Sequence, residues 1–398
     1  MSRTVPRPLP TEVSLLRIVA QGLVPATTTP DPGAAVGAML AIQGQQVGAI
    51  PDTICVRCAG VRHGDVRGAF DAGNLVRSWP MRGTIHVTTA LDHHWLREVL
   101  MHRMQSWATR SHALTGLRPE VLARAADTAR AVIAEEGPTT RARMLRAWAE
   151  DGLLDERLGE AVVQMRRRHL VVHLHRLGVL AQGPLGRGEH LLIDASTLPP
   201  ASQGVGGPEG VRHGQAGHRE AMAEVARRFA RGHGPVSADD LARWCAIGVG
   251  EARRGLDDAV EASSAGDTPL VRRGVERGRR GSLRGDPGSG GEVLYLRADL
   301  EDLLASSRTQ ARATAWLPSF DELHVGYRDR TCLTDEAGER LICPSSNGMF
   351  RPILIDAGRL VAVDPVGTGL EWVGGSAPSA RVERDVERAR ARMGGLRD

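Results

Sequence analysis

Gly137-Pro138-Thr139-Thr140-Arg141-Ala142-Arg143-Met144-Leu145 and Gly234-Pro235-Val236-Ser237-Ala238-Asp239-Asp240-Leu241-Ala242 are two copies of one plan, and their repetition decides the fold. A helical pattern precedes each Gly-Pro, Pro119 to Glu136 in one copy and Arg219 to Arg231 in the other. Thr140 and Ser237 are natural N-caps, because a short hydroxyl side chain can satisfy a free amide in the first turn. A further helix follows, ending near Gly178 and around Ala262. Each copy then shows two strand-like runs around a Gly/Arg-rich turn. In the first copy these are Val179-Leu180-Ala181, a turn from Gly183 to Gly188, and His190-Leu191-Leu192-Ile193. In the second they are Leu270-Val271, a long turn through Gly291, and Val293-Leu294-Tyr295-Leu296. Three helices and a hairpin make the winged-helix variant of the helix-turn-helix. One match is a cheap pattern; a repeat is a specific one.

Residues 11–90 read as a divergent third copy. Its helices run from Glu12 to Ala20, Ala34 to Ile50 and Gly64 to Ala72, with a strand from Thr53 to Arg57. Its hairpin is Leu75 to Trp79, a turn at Pro80-Met81-Arg82-Gly83, and Thr84 to Thr88. Past Ala311 come short alternating strands with turns at Asp335-Glu336-Ala337-Gly338 and Asp356-Ala357-Gly358. The expected class is mainly α with β (α+β): three tandem winged-helix units and a C-terminal β-rich, barrel-like domain. The expected divisions are 1–115, 116–200, 201–310 and 311–398. Ser202 to Gly217 and Gly278 to Gly291 read as linkers.

Composition restricts the chemistry. The 398 residues suffice for two to four domains. Aromatic content is only 3%, with four Phe and two Tyr, so the cores must lean on Leu, Val and Ala. The net charge is +4 and every one of the 51 basic residues is arginine. GC-rich coding accounts for most of that bias, but its consequence holds regardless: no lysine Schiff base or lysine general base is available. The mild net charge means that any nucleic-acid contact rests on a local face. No run of about 18 apolar residues is present, and the N-terminus lacks a signal core. Five scattered cysteines do not make a disulfide framework, and a cytoplasmic location is expected.

The candidate chemistry lies in Gln43-Gly44-Gln45-Gln46, carboxamides set between Met39-Leu40-Ala41-Ile42 and Val47-Gly48-Ala49-Ile50. Buried amides must find partners or cost stability, so their presence in an apolar run suggests a task. Such a group holds a water molecule in a chosen orientation without itself titrating. Gln43 and Gln45 would diverge on a regular helix; near a helix end they could face one cleft. Arg166-Arg167-Arg168 and Arg176 fall on the third helix of a repeat, where winged helices meet phosphates and bases. Arg272, Arg273, Arg277, Arg279, Arg280 and Arg284 suggest a basic wing. Cys55-Val56-Arg57-Cys58 has no second CxxC and reads as buried core cysteines. His93, His94, His102, His112, His169 and His173 form no ligand set by spacing.

Leu40-Ala41-Ile42-Gln43-Gly44-Gln45, then Arg57, then Leu75-Val76-Arg77-Ser78-Trp79-Pro80-Met81-Arg82-Gly83-Thr84-Ile85-His86 resemble the AlkZ/YcaQ-type winged-helix DNA glycosylases. Leu317-Pro318-Ser319-Phe320-Asp321-Glu322, Gly326-Tyr327-Arg328-Asp329-Arg330 and Ser346-Asn347-Gly348-Met349-Phe350-Arg351-Pro352 extend the resemblance in order. It implies three tandem winged-helix units, a β-rich C-terminal part and hydrolysis of the N-glycosidic bond of alkylated purines. The implied substrates are bulky N7-alkylguanine adducts, crosslinks included, in double-stranded DNA. Gln43 and Gln45 carry the Gln-x-Gln motif of the AlkZ branch, with Gly44 where that branch usually has a larger apolar residue. By the same resemblance Arg57, Trp79, Arg82 and His86 would line the DNA or lesion surface. Arg166, Arg167, Arg328 and Arg351 are further candidate DNA contacts.

The expectation is therefore a monofunctional glycosylase, monomeric, acting without metal or cofactor and with no membrane partner. A natural role is self-resistance to a DNA-alkylating natural product. The segment Thr331 to Cys343 is expected as a hairpin entering a groove. The rival reading is a winged-helix transcriptional regulator without catalytic activity.

Overall fold

The computed structural model describes residues 7–203, 205, 210–263, 268–278, 283, 285 and 292–396. It is a mixed helical and stranded fold in two compact units, residues 1–66 with 223–398, and residues 67–222. The division differs from the four expected segments, since the first of them, 1–115, is shared between the two units.

The unit 67–222 contains the hairpin Leu75–Met81 and Thr84–Thr89, joined by Arg82 and Gly83 at φ of 54° and 66°. Two positive φ values in a two-residue loop are the geometry that suits the right-handed twist of paired strands. Leu75–Met81 also pairs through Arg77 with Gln182 of Leu180–Leu185, which pairs in turn with His190–Asp194. The repeat elements follow as expected: helices Pro119–Glu136, Arg141–Glu150 and Glu160–Arg176, then this second hairpin. Thr140 caps its helix by accepting from the Arg143 amide at 3.1 Å. Leu122, Ala125, Met144, Trp148, Leu170, Leu174 and Leu180 form the core. The Trp148 indole donates to the Ala125 carbonyl at 3.0 Å, so its one polar atom is satisfied where it is buried.

The second copy repeats this order with helices His218–His233, Ala238–Cys245 and Val249–Ser263 and strands Leu270–Val275 and Glu292–Arg297. Ser237 and Asp240 form a full capping box. In both copies the residue just before the capping Thr or Ser bridges to the second hairpin strand: Thr139 to Leu192, and Val236 to Tyr295. That shared bridge is the closest structural evidence that the two segments are one motif.

Toward the C-terminus Ala315–Leu317, Ile353–Asp356, Arg359–Val363 and Glu371–Trp372 form an open antiparallel sheet in sequence order. The expected barrel is thus an open sheet with both faces covered. Period-two alternation divides the side chains. Leu317, Ile353, Ile355 and Val363 join Leu15, Leu16, Leu300 and Leu304. Trp316, Leu354 and Ala362 join Val382, Val386 and Met393, which come from helix Ala380–Gly394. The expected hairpin at Thr331 to Cys343 is instead helix Glu336–Ile342, because Asp335 caps it by accepting from the Gly338 amide at 2.9 Å. No helix among the described residues is long and apolar enough to cross a membrane.

Three buried histidines make the unit 67–222 sensitive to acid. Burial pushes His173 and His175 down to about 3 and His190 to about 4, below the usual value of 6.5. The unfolded chain takes up these protons below that value while the folded one does not, so stability is full above it and falls as pH drops toward the folded values. Each histidine contributes about 1.4 kcal/mol per pH unit within that window. Thermal melts should therefore show a lower melting temperature at pH 5 than at pH 7, and His190→Gln should flatten the dependence. An unchanged melting temperature between these two pH values would contradict it.

Candidate active site

Helix Pro32–Met39, begun by the Asp31 cap, stops where Leu40 turns to φ 64°. The chain then runs extended through Ile42–Gln43 before a 3-10 turn at Val47–Ala49 and helix Ile50–Cys55. The expected continuous helix from Ala34 to Ile50 is thus broken at the glutamines. The expected strand from Thr53 is a helix, since Pro51 in its first turn favours a helical start over the β-branched Thr53 and Ile54. Gln43, on the strand, is buried, whereas Gln45 and Gln46, in the bend that follows it, are exposed.

Gln43 is held at both its backbone and its side chain. Its amide donates to Glu322 Oε1 at 2.8 Å, and its Oε1 accepts from the Gly44 amide at 2.9 Å. The carboxamide oxygen is therefore turned back onto the chain, leaving Nε2 as the donor end. Glu322 is fully buried, and its Oε2 lies 3.4 Å from both His233 Nε2 and Trp244 Nε1. Gly326 is required here: a Cβ would sit 2.6 Å from the Glu322 carbonyl and 3.0 Å from the His233 ring. Gly232 serves the neighbouring contact, where a Cβ would meet the Ala38 carbonyl at 2.4 Å. Arg228 also donates to the Gly37 carbonyl at 2.6 Å, so helix His218–His233 fixes the end of the helix that leads into Gln43.

Arg57 is placed differently from its expected DNA or lesion surface. It is 2% exposed and makes a bidentate pair with Asp321, at 2.8 and 3.0 Å, and donates to Gln21 at 2.8 Å. Burial alone lowers its pKa, but the charge and hydrogen bonds of Asp321 outweigh that, and the net shift is upward. Gln21 donates to Tyr327 Oη at 2.8 Å, and Tyr327 donates to the His233 carbonyl at 2.7 Å. Arg17 lies 3.6 Å above the Tyr327 ring and pairs with Asp240 at 3.3 Å. Arg57 is a structural brace for the candidate site.

The other expected residues divide by placement. Arg351 and Gln46 line one shallow pocket with Ser319, Asn347, Met349 and Phe350. Arg351 is partly spent on Glu371 at 2.9 Å, while Arg328 is exposed. In the other unit Trp79 is half-buried with its ring 4.7 Å from that of His175. His86 is buried, its Nε2 3.1 Å from Arg82 and its Nδ1 3.0 Å from the Thr84 carbonyl. Arg166 is buried and donates to the carbonyls of Thr115 and Leu153 at 2.7 and 2.9 Å, so it ties helices together rather than facing DNA. Arg167 and Arg168 are exposed beside it.

The three described arginines of the expected basic wing are paired within the fold. Arg272 pairs with Asp257, Arg273 with Glu301, and Arg277 with both Glu292 and Asp329. Arg279, Arg280 and Arg284 lie outside the described residues. Cys55 and Cys58 are buried, free thiols, and burial pushes Cys55 up to about 12. No metal-binding group of three or more His, Cys, Asp or Glu is found among the described residues. No role was expected for Glu322, His233 or Trp244; Glu322 stood only at the end of the resembling segment Leu317-Pro318-Ser319-Phe320-Asp321-Glu322.

The repeated plan of three helices and a hairpin is that of the winged helix, a class of fold that binds DNA. A family model described as DNA glycosylase AlkZ-like matches residues 36–394. The chain belongs to the AlkZ-like DNA glycosylase family and is a DNA glycosylase by class, with DNA as its substrate. Among solved structures, Streptomyces sahachiroi DNA glycosylase AlkZ superposes with a TM-score of 0.69 over 97% of this chain and 96% of that one. At 19% identity that likeness carries the fold alone. No curated protein sequence matches.

The Glu322 contact is directly testable by amide hydrogen exchange. Glu322→Ala should accelerate exchange at Gln43, while helix Pro119–Glu136 in the other unit keeps its protection. Glu322→Gln, which retains an acceptor oxygen, should restore most of the protection. Unchanged exchange at Gln43 in Glu322→Ala would show that the contact does not hold the strand.

Proposed function

We propose that this protein is a monofunctional glycosylase that hydrolyses the N-glycosidic bond of alkylated purines, chiefly bulky N7-alkylguanine adducts. The observation that carries the reading is an anchored, buried Gln43 at the end of a short strand with an exposed Gln45 two residues on. N7-alkylguanine is cationic and departs as a neutral base, so its glycosidic bond is already weakened. Little general-base strength is then needed. Two amides that position a water at C1′ and stabilise developing charge on the sugar can provide the remainder. Gln43, with its oxygen fixed, is the orienting group; Gln45 is the group presented to substrate.

The chain has no lysine, so it has no lysine amine with which to form a Schiff base and cleave the strand after base release. Trp79, Arg82, His86, Arg167, Arg328 and Arg351 are the proposed DNA and lesion contacts. Three winged-helix units on one chain can follow a duplex as a monomer. A bulky adduct is hard to rotate into a tight pocket, so the lesion is read in place. Resistance to a DNA-alkylating natural product, crosslinks included, is the biological role this substrate class suggests.

The reading is tested by incubating the protein with duplex DNA containing N7-methylguanine and scoring alkali-labile abasic sites. Gln45→Ala and Gln43→Ala should each reduce the single-turnover rate by about 100-fold, the scale of one lost transition-state donor. Borohydride should trap no covalent protein–DNA adduct. If wild type and Gln45→Ala give the same background on several alkyl adducts, the proposal is wrong. Sequence-specific footprinting on unmodified DNA would then favour a regulator.

A further inference from the structure

A second site lies wholly within residues 67–222, remote in sequence from the glutamines. A cavity of about 430 Å³ is lined by Pro119, Leu122, Ala123 and Ala126 of helix Pro119–Glu136, and by Leu177 and Val179 of the turn after helix Glu160–Arg176. Its polar lining is Arg176, His112 and the Asp127–Arg130 pair, which is exposed and 3.7 Å apart. The walls are apolar and the unbalanced charge is positive.

Arg176 differs from the other buried arginines among the described residues. Arg17 and Arg57 pair with carboxylates, Arg97 bonds Glu98 and the Arg176 carbonyl, Arg166 bonds two carbonyls and Arg77 bonds Gln182. Arg176 is only 9% exposed, its Nε is buried without a partner, and no hydrogen bond is made by its guanidinium. Its backbone alone is used, to receive Arg97 and to continue the helix. The neighbouring His112 also has a buried Nε2 with no partner. Burying this unpaired Nε beneath a guanidinium whose terminal nitrogens alone reach solvent carries a desolvation cost that no acceptor offsets. Burial accordingly lowers the pKa of this arginine. Its position at a helix C-terminus offsets only part of that cost, because the dipole effect there is small.

We propose that this cavity binds a small organic anion, an apolar body with a carboxylate or phosphate head, with Arg176 receiving the head. The head would accept from the terminal guanidinium donors, and the apolar walls would cover the body. A neutral molecule of the same shape would leave Arg176 unpaired and gain only the apolar contact. The site is independent of the glycosylase reading, and either can fail without the other.

The experiment uses the whole protein with hexyl phosphate, hexanoate and hexanol as probes at fixed ionic strength, by calorimetry and thermal melting. Wild type should bind at least one of the two anions and melt higher in its presence, as expected for a ligand that favours the folded state, while hexanol has little effect. Arg176→Met should weaken anion binding at least tenfold, yet melt at or above the wild-type temperature without ligand, because it removes a buried donor that no acceptor offsets. Arg176→Lys should retain part of the affinity. The proposal is overturned if neither anion binds wild type or if Arg176→Met binds them equally. It is also overturned if ligand-free Arg176→Met melts well below wild type, which would make the arginine structural. Loss of duplex affinity alone, with both anions silent, would overturn it in favour of a DNA phosphate contact.

Discussion

The buried bidentate pair between Arg57 and Asp321 is the contact on which the candidate site depends. Both partners are almost wholly excluded from water, so neither can be left alone cheaply. Removing one partner of such a pair typically costs 3–5 kcal/mol, against a total stability of about 5–15 kcal/mol for a domain. The residue after Asp321 is Glu322, which holds the Gln43 amide. Two consecutive carboxylates therefore grip the segment from Gln43 to Arg57 at its two ends. Gln21, Tyr327, Arg17 and Asp240 extend that grip to helices Thr11–Ala20 and Ala238–Cys245. The strand carrying Gln43 is thus set by a polar interior rather than by its own propensity.

Under the proposed function, this arrangement is what would let amides act. A carboxamide supplies orientation, and orientation is useful only if its own position is fixed. Gln43 is fixed through Glu322 and through the backbone amide of the buried Gly44. Gln45 is open to solvent in the bend just after the strand.

The repeat was legible because its signals are local. Thr140 and Ser237 cap the helices they were expected to cap, and the two hairpins follow at the expected places. The glutamines were legible as out of place, but their helix was not legible as broken. A helix ending at Leu40 with φ 64° depends on contacts to residues almost 300 positions away, which no local pattern encodes. Arg57 and Arg166 were misplaced for the same reason. An arginine on a motif looks the same in sequence whether it meets a phosphate or a buried carboxylate, and Asp321 and the carbonyls of Thr115 and Leu153 decided between them. The segment after Thr331 looked like a hairpin until Asp335 was seen to cap a helix.

The central claim is that one anchored and one exposed amide suffice because the leaving base already carries charge. The most direct measurement compares single-turnover release of N7-methylguanine and of a neutral base, uracil, from otherwise identical duplexes. The account predicts measurable release of the cationic base and none of the neutral one above background, with the first abolished in the Gln43→Ala/Gln45→Ala double variant. Comparable release of uracil, or a double variant as fast as wild type, would contradict it.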